Sequence, residues 1–341
     1  MLIKILKSVF GLGAASAKHQ GDISGPVRGV AIWKLSRSAE EWYDAGVTAY
    51  ESERYVEALQ NFGRAIEINS TFGKYHYQAA AAEFMLGNVE AAAKHCEAAL
   101  RRSPNLAPCH ELMSRIELPG PDYGEALSLI HQSLLPRTYV EIGVSNGQSL
   151  MLAHPRTRAI GIDPAPVIGA GLTENFTVHA ITSDDYFDTH DVKAELGGLP
   201  IELAFIDGRH LFEYALRDFI NIEKHCTPRS TVLAHDCYPL NRRTAERSRV
   251  TEFWSGDCWR LILALKKYRP DLQINTIAAA PTGLAIVRNL DPGSSVLSER
   301  MNEIVDEFLA VDYAVLEADK PGTLNRFPND VAQIRALLSG N

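Results

Sequence analysis

Residues 139–149 read Tyr-Val-Glu-Ile-Gly-Val-Ser-Asn-Gly-Gln-Ser, and no other stretch constrains the fold as tightly. A short apolar run ends in an acid, turns through Gly143 and Gly147, and opens into a helical pattern over 149–152. Twenty-two residues after Glu141, a second apolar run over 159–162 ends in another acid, Asp163. Strand, glycine turn, helix and acid-tipped strand make the βαβ unit that holds a nucleoside-bearing ligand at the carboxyl edge of a parallel sheet. Glycines let the backbone approach the ligand, and the second strand's acid can accept from both ribose hydroxyls. The bland alternative is an ordinary strand–turn–helix with incidental acids. Asp163 and the acids at later strand tips weigh against it.

A mismatch selects the ligand. A dinucleotide fingerprint starting at Gly143 needs glycine at positions 145 and 148, to admit a pyrophosphate and to pack the helix closely. This chain has Ser145 and Gln148 there. S-adenosylmethionine carries no phosphate; it needs one acid near its amino group and another on its ribose. Glu141 and Asp163 suit those places. Gly143, Ser145, Gly147 and Ser149 complete the turn, and Ser183, Asp184 and Asp207 follow at later strand ends as further cofactor-binding candidates.

At 341 residues the chain expects two domains, or one with appendages, and 46% hydrophobic content is ample for sizeable cores. A net charge of −8 argues against broad nucleic-acid binding, which needs a basic face. Five cysteines, widely spaced and without a C-x-x-C, read as reduced thiols. Residues 1–17 imitate a secretory signal, but Lys7 interrupts the apolar region. No later segment approaches the ~18 apolar residues of a membrane span. A leader over 1–37 on a cytoplasmic protein is the expectation, with secretion as the minor alternative.

Residues 39–106 carry a 34-residue internal repeat. Trp42, Ala45, Gly46, Tyr50, Ala58, Phe62 and Ala65 recur as His76, Ala79, Ala80, Phe84, Ala92, Cys96 and Ala99. Small residues let two antiparallel helices approach, and large ones fill the gap between hairpins. The pattern resembles the tetratricopeptide repeat. A third, weaker unit is broken by Pro119-Gly120-Pro121, and its second helix, 123–134, is expected to pack under the cofactor-binding sheet. The repeats either buttress the fold or hold a protein partner; residues 79–82 and 91–93 suggest a bland surface, which favours buttressing.

Beyond Asp163 the chain keeps a βα rhythm. Strands are expected at 176–181, 203–206 and 231–234, with a terminal pair at 272–277 and 283–287. A helical tail follows over 291–341, where an apolar stripe from Met301 to Leu309 suits core or homo-oligomer contact. Seven strands with a final hairpin resemble the doubly wound α/β sheet of class I methyltransferases, over roughly 123–290. The quoted segments resemble the S-adenosylmethionine-dependent group related to sugar and macrolide O-methyltransferases. They are Glu141-Ile-Gly143, Ile206-Asp207-Gly208-Arg209-His210 with Tyr214 two positions late, and His235-Asp236. The domains expected are therefore leader 1–37, helical repeats 38–118, methyltransferase domain 119–290 and tail 291–341.

The resemblance implies methylation of a hydroxyl on a sugar or other small acceptor. His210 suits a general base, because its ordinary pKa of about 6.5 fits proton removal near neutrality. Asp207 and Asp236 orient it or hold Mg²⁺. Metal-dependent relatives carry an oxygen ligand right after the second aspartate; Cys237 stands there instead and is a poor ligand for a hard cation. His235 is expected to be a packed strand-end residue and Asp257 the N-cap of a helix at 259–267. Arg242, Arg243, Arg247 and Arg249 are expected to form a solvated face, or else to meet an acidic acceptor. Two other readings stay open: a scaffold on which the fold has lost its chemistry, and a metal-dependent hydroxylase on the same fold.

Overall fold

The computed structural model describes residues 37–169 and 173–339. The expected leader and its signal-like stretch lie outside the described residues, apart from Arg37. Two compact units divide between Cys109 and His110.

The first unit contains α1 (Ala39–Glu51), α2 (Tyr55–Ile68), α3 (Gly73–Met85) and α4 (Val89–Arg102). Helix α1 starts where Ser38 and Glu41 form a reciprocal capping box, which satisfies two backbone donors at once. Each helix packs on the next in sequence. The repeat's small residues explain how. Gly46, Ala58, Ala65, Ala79, Ala80, Ala92 and Ala99 are all buried, and a Cβ at Gly46 would collide with the Phe62 ring. Residues 79–82, expected at the surface, are buried too, because α3 presents no solvent face over Tyr75–Ala82. Helix α5 (Ala107–Glu117) follows.

The second unit is built on one sheet, of eight strands among the described residues, where seven were expected. Its strands are β1 (Thr138–Ile142), β2 (Arg158–Ile162), β3 (Phe176–His179), β4 (Leu203–Ile206), β5 (Thr231–His235), β6 (Gln273–Ile277), β7 (Leu284–Arg288) and β8 (Arg326–Phe327). They lie in the order β3-β2-β1-β4-β5-β7-β6-β8. The first five run parallel; β7 is antiparallel to both β5 and β6. The extra strand comes from the tail expected to be all helix. Asn325 turns the chain at φ 51, its carbonyl accepts from Thr276 N at 2.9 Å, and Arg326–Phe327 pair parallel to β6.

Alternation along each strand sends side chains to two cores. Val140, Ile142, Ala204, Ile206 and Val232 face α9 (Phe212–Glu223) and α10 (Trp259–Tyr268) through Leu216, Phe219 and Ile262. Tyr139, Leu203, Phe205 and Leu233 face α6 (Tyr123–Leu134) through Leu127 and Ile130, and α14 (Val331–Ser339) through Ile334. Burial on both faces is why the strands read as unbroken apolar runs. Helix α6 packs under the sheet, with Asp122 and Glu125 as its capping box. The Pro119-Gly120-Pro121 break lies inside this unit, held by Asn329 Nδ2, which donates to Pro119 O and Pro121 O at 3.2 and 2.8 Å. Helices α7 (Ser183–Thr189) and α8 (Val192–Glu195) precede α9, and α11 (Val296–Glu299), α12 (Met301–Leu309) and α13 (Ala314–Thr323) belong to the tail. No described helix is long and apolar enough to cross a membrane. All five cysteines are free and buried.

One buried ion pair ties α9 to α10. Arg269, the C-cap of α10, donates to Glu223 Oε2 at 2.7 Å with both side chains almost wholly buried. The other Glu223 oxygen accepts from Asp291 N at 3.1 Å. Removing one partner strands a buried charge, so Arg269→Ala should destabilise the second unit by about 3–5 kcal/mol. Urea unfolding followed by fluorescence of the buried Trp259 measures it; a loss under ~1 kcal/mol would show the pair to be dispensable.

Candidate active site

The carboxyl tips of β1, β2, β4 and β5 carry the titratable groups. The chain leaves β1 through Gly143 at φ 87, and a Cβ there would collide with the Asp207 carbonyl. Only glycine lets the first turn lie against the turn after β4. Backbone bonds then fix both turns: Gly143 N donates to Ile162 O and Asp207 N to Ile142 O, each at 2.8 Å.

Asp163 organises the first turn. Its Oδ2 accepts from Val144 N and Ser145 N at 3.0 and 2.8 Å, and its Oδ1 from Ala165 N at 2.8 Å. Ser145 sits at φ 48, and its carbonyl accepts from Val167 N at 2.8 Å. Glu141 is fully buried, with Tyr139 Oη donating to Oε2 and Ser149 Oγ to Oε1, both at 2.6 Å. Burial, partly offset by the Ser149 and Tyr139 hydrogen bonds, pushes its pKa up to about 7. The helix expected from 149 is a single 3-10 turn, Leu150–Leu152, that ends before Pro155. A one-turn helix offers no macrodipole for a pyrophosphate.

Asp207, His210 and Asp236 meet, as a group, at the tips of β4 and β5. His210 Nε2 lies 3.3 Å from Asp207 Oδ1, and its Nδ1 3.0 Å from Asp236 Oδ2. His235 joins them, with Nδ1 at 3.1 Å from Asp207 Oδ1. His235 is buried as expected, under the Tyr123 ring at a centroid distance of 4.2 Å, but it also shares the acid. His210 and Asp236 both hold left-handed backbone, φ 54 and 59, a strained arrangement that points both side chains at one spot. Gly256 makes the His210 turn possible, since a Cβ there would collide with the His210 carbonyl. Trp254 stacks on the imidazole at 5.5 Å between centroids.

Charge in this cluster is shared. Burial by itself would lower the His210 pKa, but the Asp236 and Asp207 carboxylates raise it to about 11. His235 is raised too, against burial, by Asp236 and Asp207. Asp207 goes the other way: burial would raise it, and the two histidines pull it well below the carboxylate range. His210 therefore stands as an imidazolium beside two carboxylates. Asp236 Oδ2 is buried and meets His210 as a charge contact, without the alignment of a hydrogen bond.

Other expected residues went elsewhere. Asp257 does not cap α10, whose N-cap is Cys258; it is fully buried, and its Oδ1 accepts from Phe212 N, the first residue of α9, at 2.9 Å. Arg242, Arg243, Arg247 and Arg249 are exposed as expected; Arg247 also donates to Asp257 and Glu213 at 2.7 Å, and Arg242 pairs with Asp312 and Glu317 at 3.0 Å. The Cys237 thiol is buried and directed at His235 O, 3.4 Å away. Asp184 pairs with Arg217, away from the Asp207 cluster's own contacts. One acid escaped the sequence reading: Asp218, almost fully buried, with a pKa pushed up to about 7 by burial against a hydrogen bond from Ser183. It lines the same cleft as Asp207 and His210. The signal was there, since Ala215, Asp218, Phe219 and Ile222 share one helix face and only one is polar.

Residues 140–237, less than half of the chain, match the family model of a methyltransferase domain. Two solved structures resemble the chain distantly. The O-methyltransferase TomG from Streptomyces achromogenes, involved in tomaymycin synthesis and solved in complex with SAM, is 18% identical. It covers 53% of this chain and 88% of its own, with a TM-score of 0.40. An O-methyltransferase from Bacillus cereus in complex with SAH is 14% identical over 52% of this chain and 87% of its own, at a TM-score of 0.35. No curated protein matches the chain.

The raised Glu141 pKa makes a prediction with a definite sign. Its neutral form is favoured in the folded state, so its contribution is full below the unfolded value near 4.5 and is lost as pH rises through about 7. The stability difference between the wild type and Glu141→Gln should therefore fall across that window and level off above it. Denaturant midpoints at half-unit pH steps read it, and a flat difference would place the Glu141 pKa at its ordinary value.

Proposed function

We propose that the second unit is an S-adenosylmethionine-dependent methyltransferase acting on a hydroxyl of a small molecule, a sugar among the candidates. The observation that carries this reading is the pairing of a phosphate-free glycine turn with an acid–imidazole cluster on the neighbouring strand tip. Asp163 and Glu141 flank the turn, and its Ser145 and Gln148 rule out a pyrophosphate cradle. Asp163 would hold the ribose. Glu141, Gly143, Ser145, Gly147 and Ser149 would shape the methionyl end, with Ser183, Asp184 and Asp207 completing the cleft. The cofactor, when bound, supplies an electrophilic methyl on a sulfonium; attack by the acceptor oxygen breaks the S–CH₃ bond and leaves a neutral thioether.

The protein's part is to orient the acceptor and take its proton. His210 would receive it. As an imidazolium flanked by Asp207 and Asp236, His210 cannot do so until the carboxylate charge is engaged elsewhere. Asp236 Oδ2, which is buried and faces only imidazole nitrogens, and Asp207 Oδ1 form an oxygen pair that fits Mg²⁺, which prefers such donors to imidazole. Mg²⁺ held there would screen both carboxylates and acidify the acceptor hydroxyl. Cys237, its thiol turned to His235 O, would give no third oxygen ligand.

The four helices of the first unit fit a pair of tetratricopeptide-like hairpins, supported by the close approach at Gly46. A docking role for a protein partner, or a buttressing one, both suit that module.

Two measurements test the reading. Calorimetry should give binding of S-adenosylhomocysteine and none of NAD, and Asp163→Ala should weaken it by about 1.5–3 kcal/mol through loss of hydrogen bonds to a charged group. NAD binding without a response to S-adenosylhomocysteine would sink the cofactor assignment. With an acceptor found by screening hydroxylated small molecules, His210→Ala should lower turnover ~10²–10⁴-fold while cofactor affinity holds. Chelator should abolish turnover and Mg²⁺ restore it; indifference to chelator would leave Asp207 and Asp236 as orienting groups only.

A further inference from the structure

A second cluster of donors lies at the end of edge strand β3, three strands along the sheet from the β4 tip that carries Asp207. His179 is the last residue of β3, His190 caps the C-terminus of α7, and Glu195 ends α8. His179 Nε2 lies 2.9 Å from Glu195 Oε2. The His179 and His190 rings meet edge to face at a centroid distance of 4.7 Å. One donor atom from each of the three residues falls within 4.8 Å of the other two. The side chains are only partly buried, 19% exposed for His179 and 27% for Glu195, so an ion has a route in from solvent.

We propose that His179, His190 and Glu195 form a binding site for a divalent transition metal of the zinc class. Two imidazoles and one carboxylate are the donor set that suits zinc and its neighbours, while magnesium and calcium favour oxygen alone. Bonds of about 2.0–2.1 Å at the tetrahedral angle put ligand atoms roughly 3.3 Å apart, so the three donors need to shift by little. Three protein ligands leave one position for water.

The surroundings support the same reading. Thr189 Oγ1 lies 2.9 Å from His190 Nδ1, which occupies that nitrogen and leaves Nε2 for the ion. Such an outer partner sets the tautomer and ring orientation of a metal-bound histidine. The Tyr186 ring stacks on His190 at 4.8 Å and lies 5.0 Å from His179, so both imidazoles are held by one aromatic wall. Tyr186 is fully buried, with its hydroxyl beside the Glu195 carboxylate, so the same ring also borders the third ligand. An occupied site would clamp β3 to α7 and α8, and so fix the segment that carries Ser183 and Asp184.

The proposal stands apart from the methyl-transfer reading and is tested without it. The full chain, stripped by chelator, is titrated with Zn²⁺ against a chromogenic chelator, with the melting temperature recorded alongside. Asp207→Asn/Asp236→Asn is the background, which disables the other cluster. That protein should bind one equivalent of Zn²⁺ and melt at a higher temperature with it. Adding His190→Ala or Glu195→Gln should weaken binding at least tenfold and abolish the upward shift, while both variants melt cooperatively in chelator. His190 is at a helix end and Glu195→Gln is close in shape, so a folding failure of one leaves the other as the test. Zn²⁺ affinity unchanged by either substitution, or no bound equivalent in the background protein, would overturn the assignment.

Discussion

The missing side chain of Gly143 is the constraint from which the carboxyl edge of the sheet is built. Its positive φ and bare Cα let the turn after β1 lie on the backbone of the turn after β4. Any Cβ would push the two apart, and with them Asp163 on one side and Asp207 on the other. Gly256 repeats the device against His210. Two close backbone approaches therefore set the spacing of Asp163, Asp207 and His210. Side-chain hydrogen bonds then lock positions that the backbone has already chosen.

Charge follows from that spacing. Two carboxylates and two imidazoles share a small volume, and each shift in pKa is the response of one group to the others. Buried Asp236 has its Oδ2 held by charge against the His210 and His235 imidazoles, at 3.0 and 3.6 Å. Asp257 works in the opposite sense. It is as deeply buried, but a helix N-terminus and two arginines satisfy it. The contrast separates an acid that ties helices together from one that faces only the imidazoles of the cluster.

Much of the fold was legible in the chain. β4 and α6 have the bounds that the apolar runs predicted, and β1, β2 and β5 differ by a residue or so, because buried parallel strands leave short, unbroken apolar signatures. β8 was not legible. Two residues carry no periodicity, and Arg326–Phe327 became a strand only because the β6 edge was there to pair with. The helix after Ser149 was over-read for the complementary reason: three favourable residues suggest a start, but Pro155 and the turn geometry allow only one turn.

The sequence by itself determined the strand order of chemistry: acids at 141, 163, 207 and 236, histidines at 210 and 235, and glycines where the backbone must turn. Local pattern is enough for that, since strand tips and turns are set by neighbours along the chain. Only the tertiary structure decided which of these groups meet. Asp257 sits close to α10 in sequence yet caps α9, and Arg247 reaches in from the exposed face to neutralise it. Partners so far apart in sequence share no periodicity. Their pairing is fixed by how helices dock on the sheet and by the need to leave no charge buried alone.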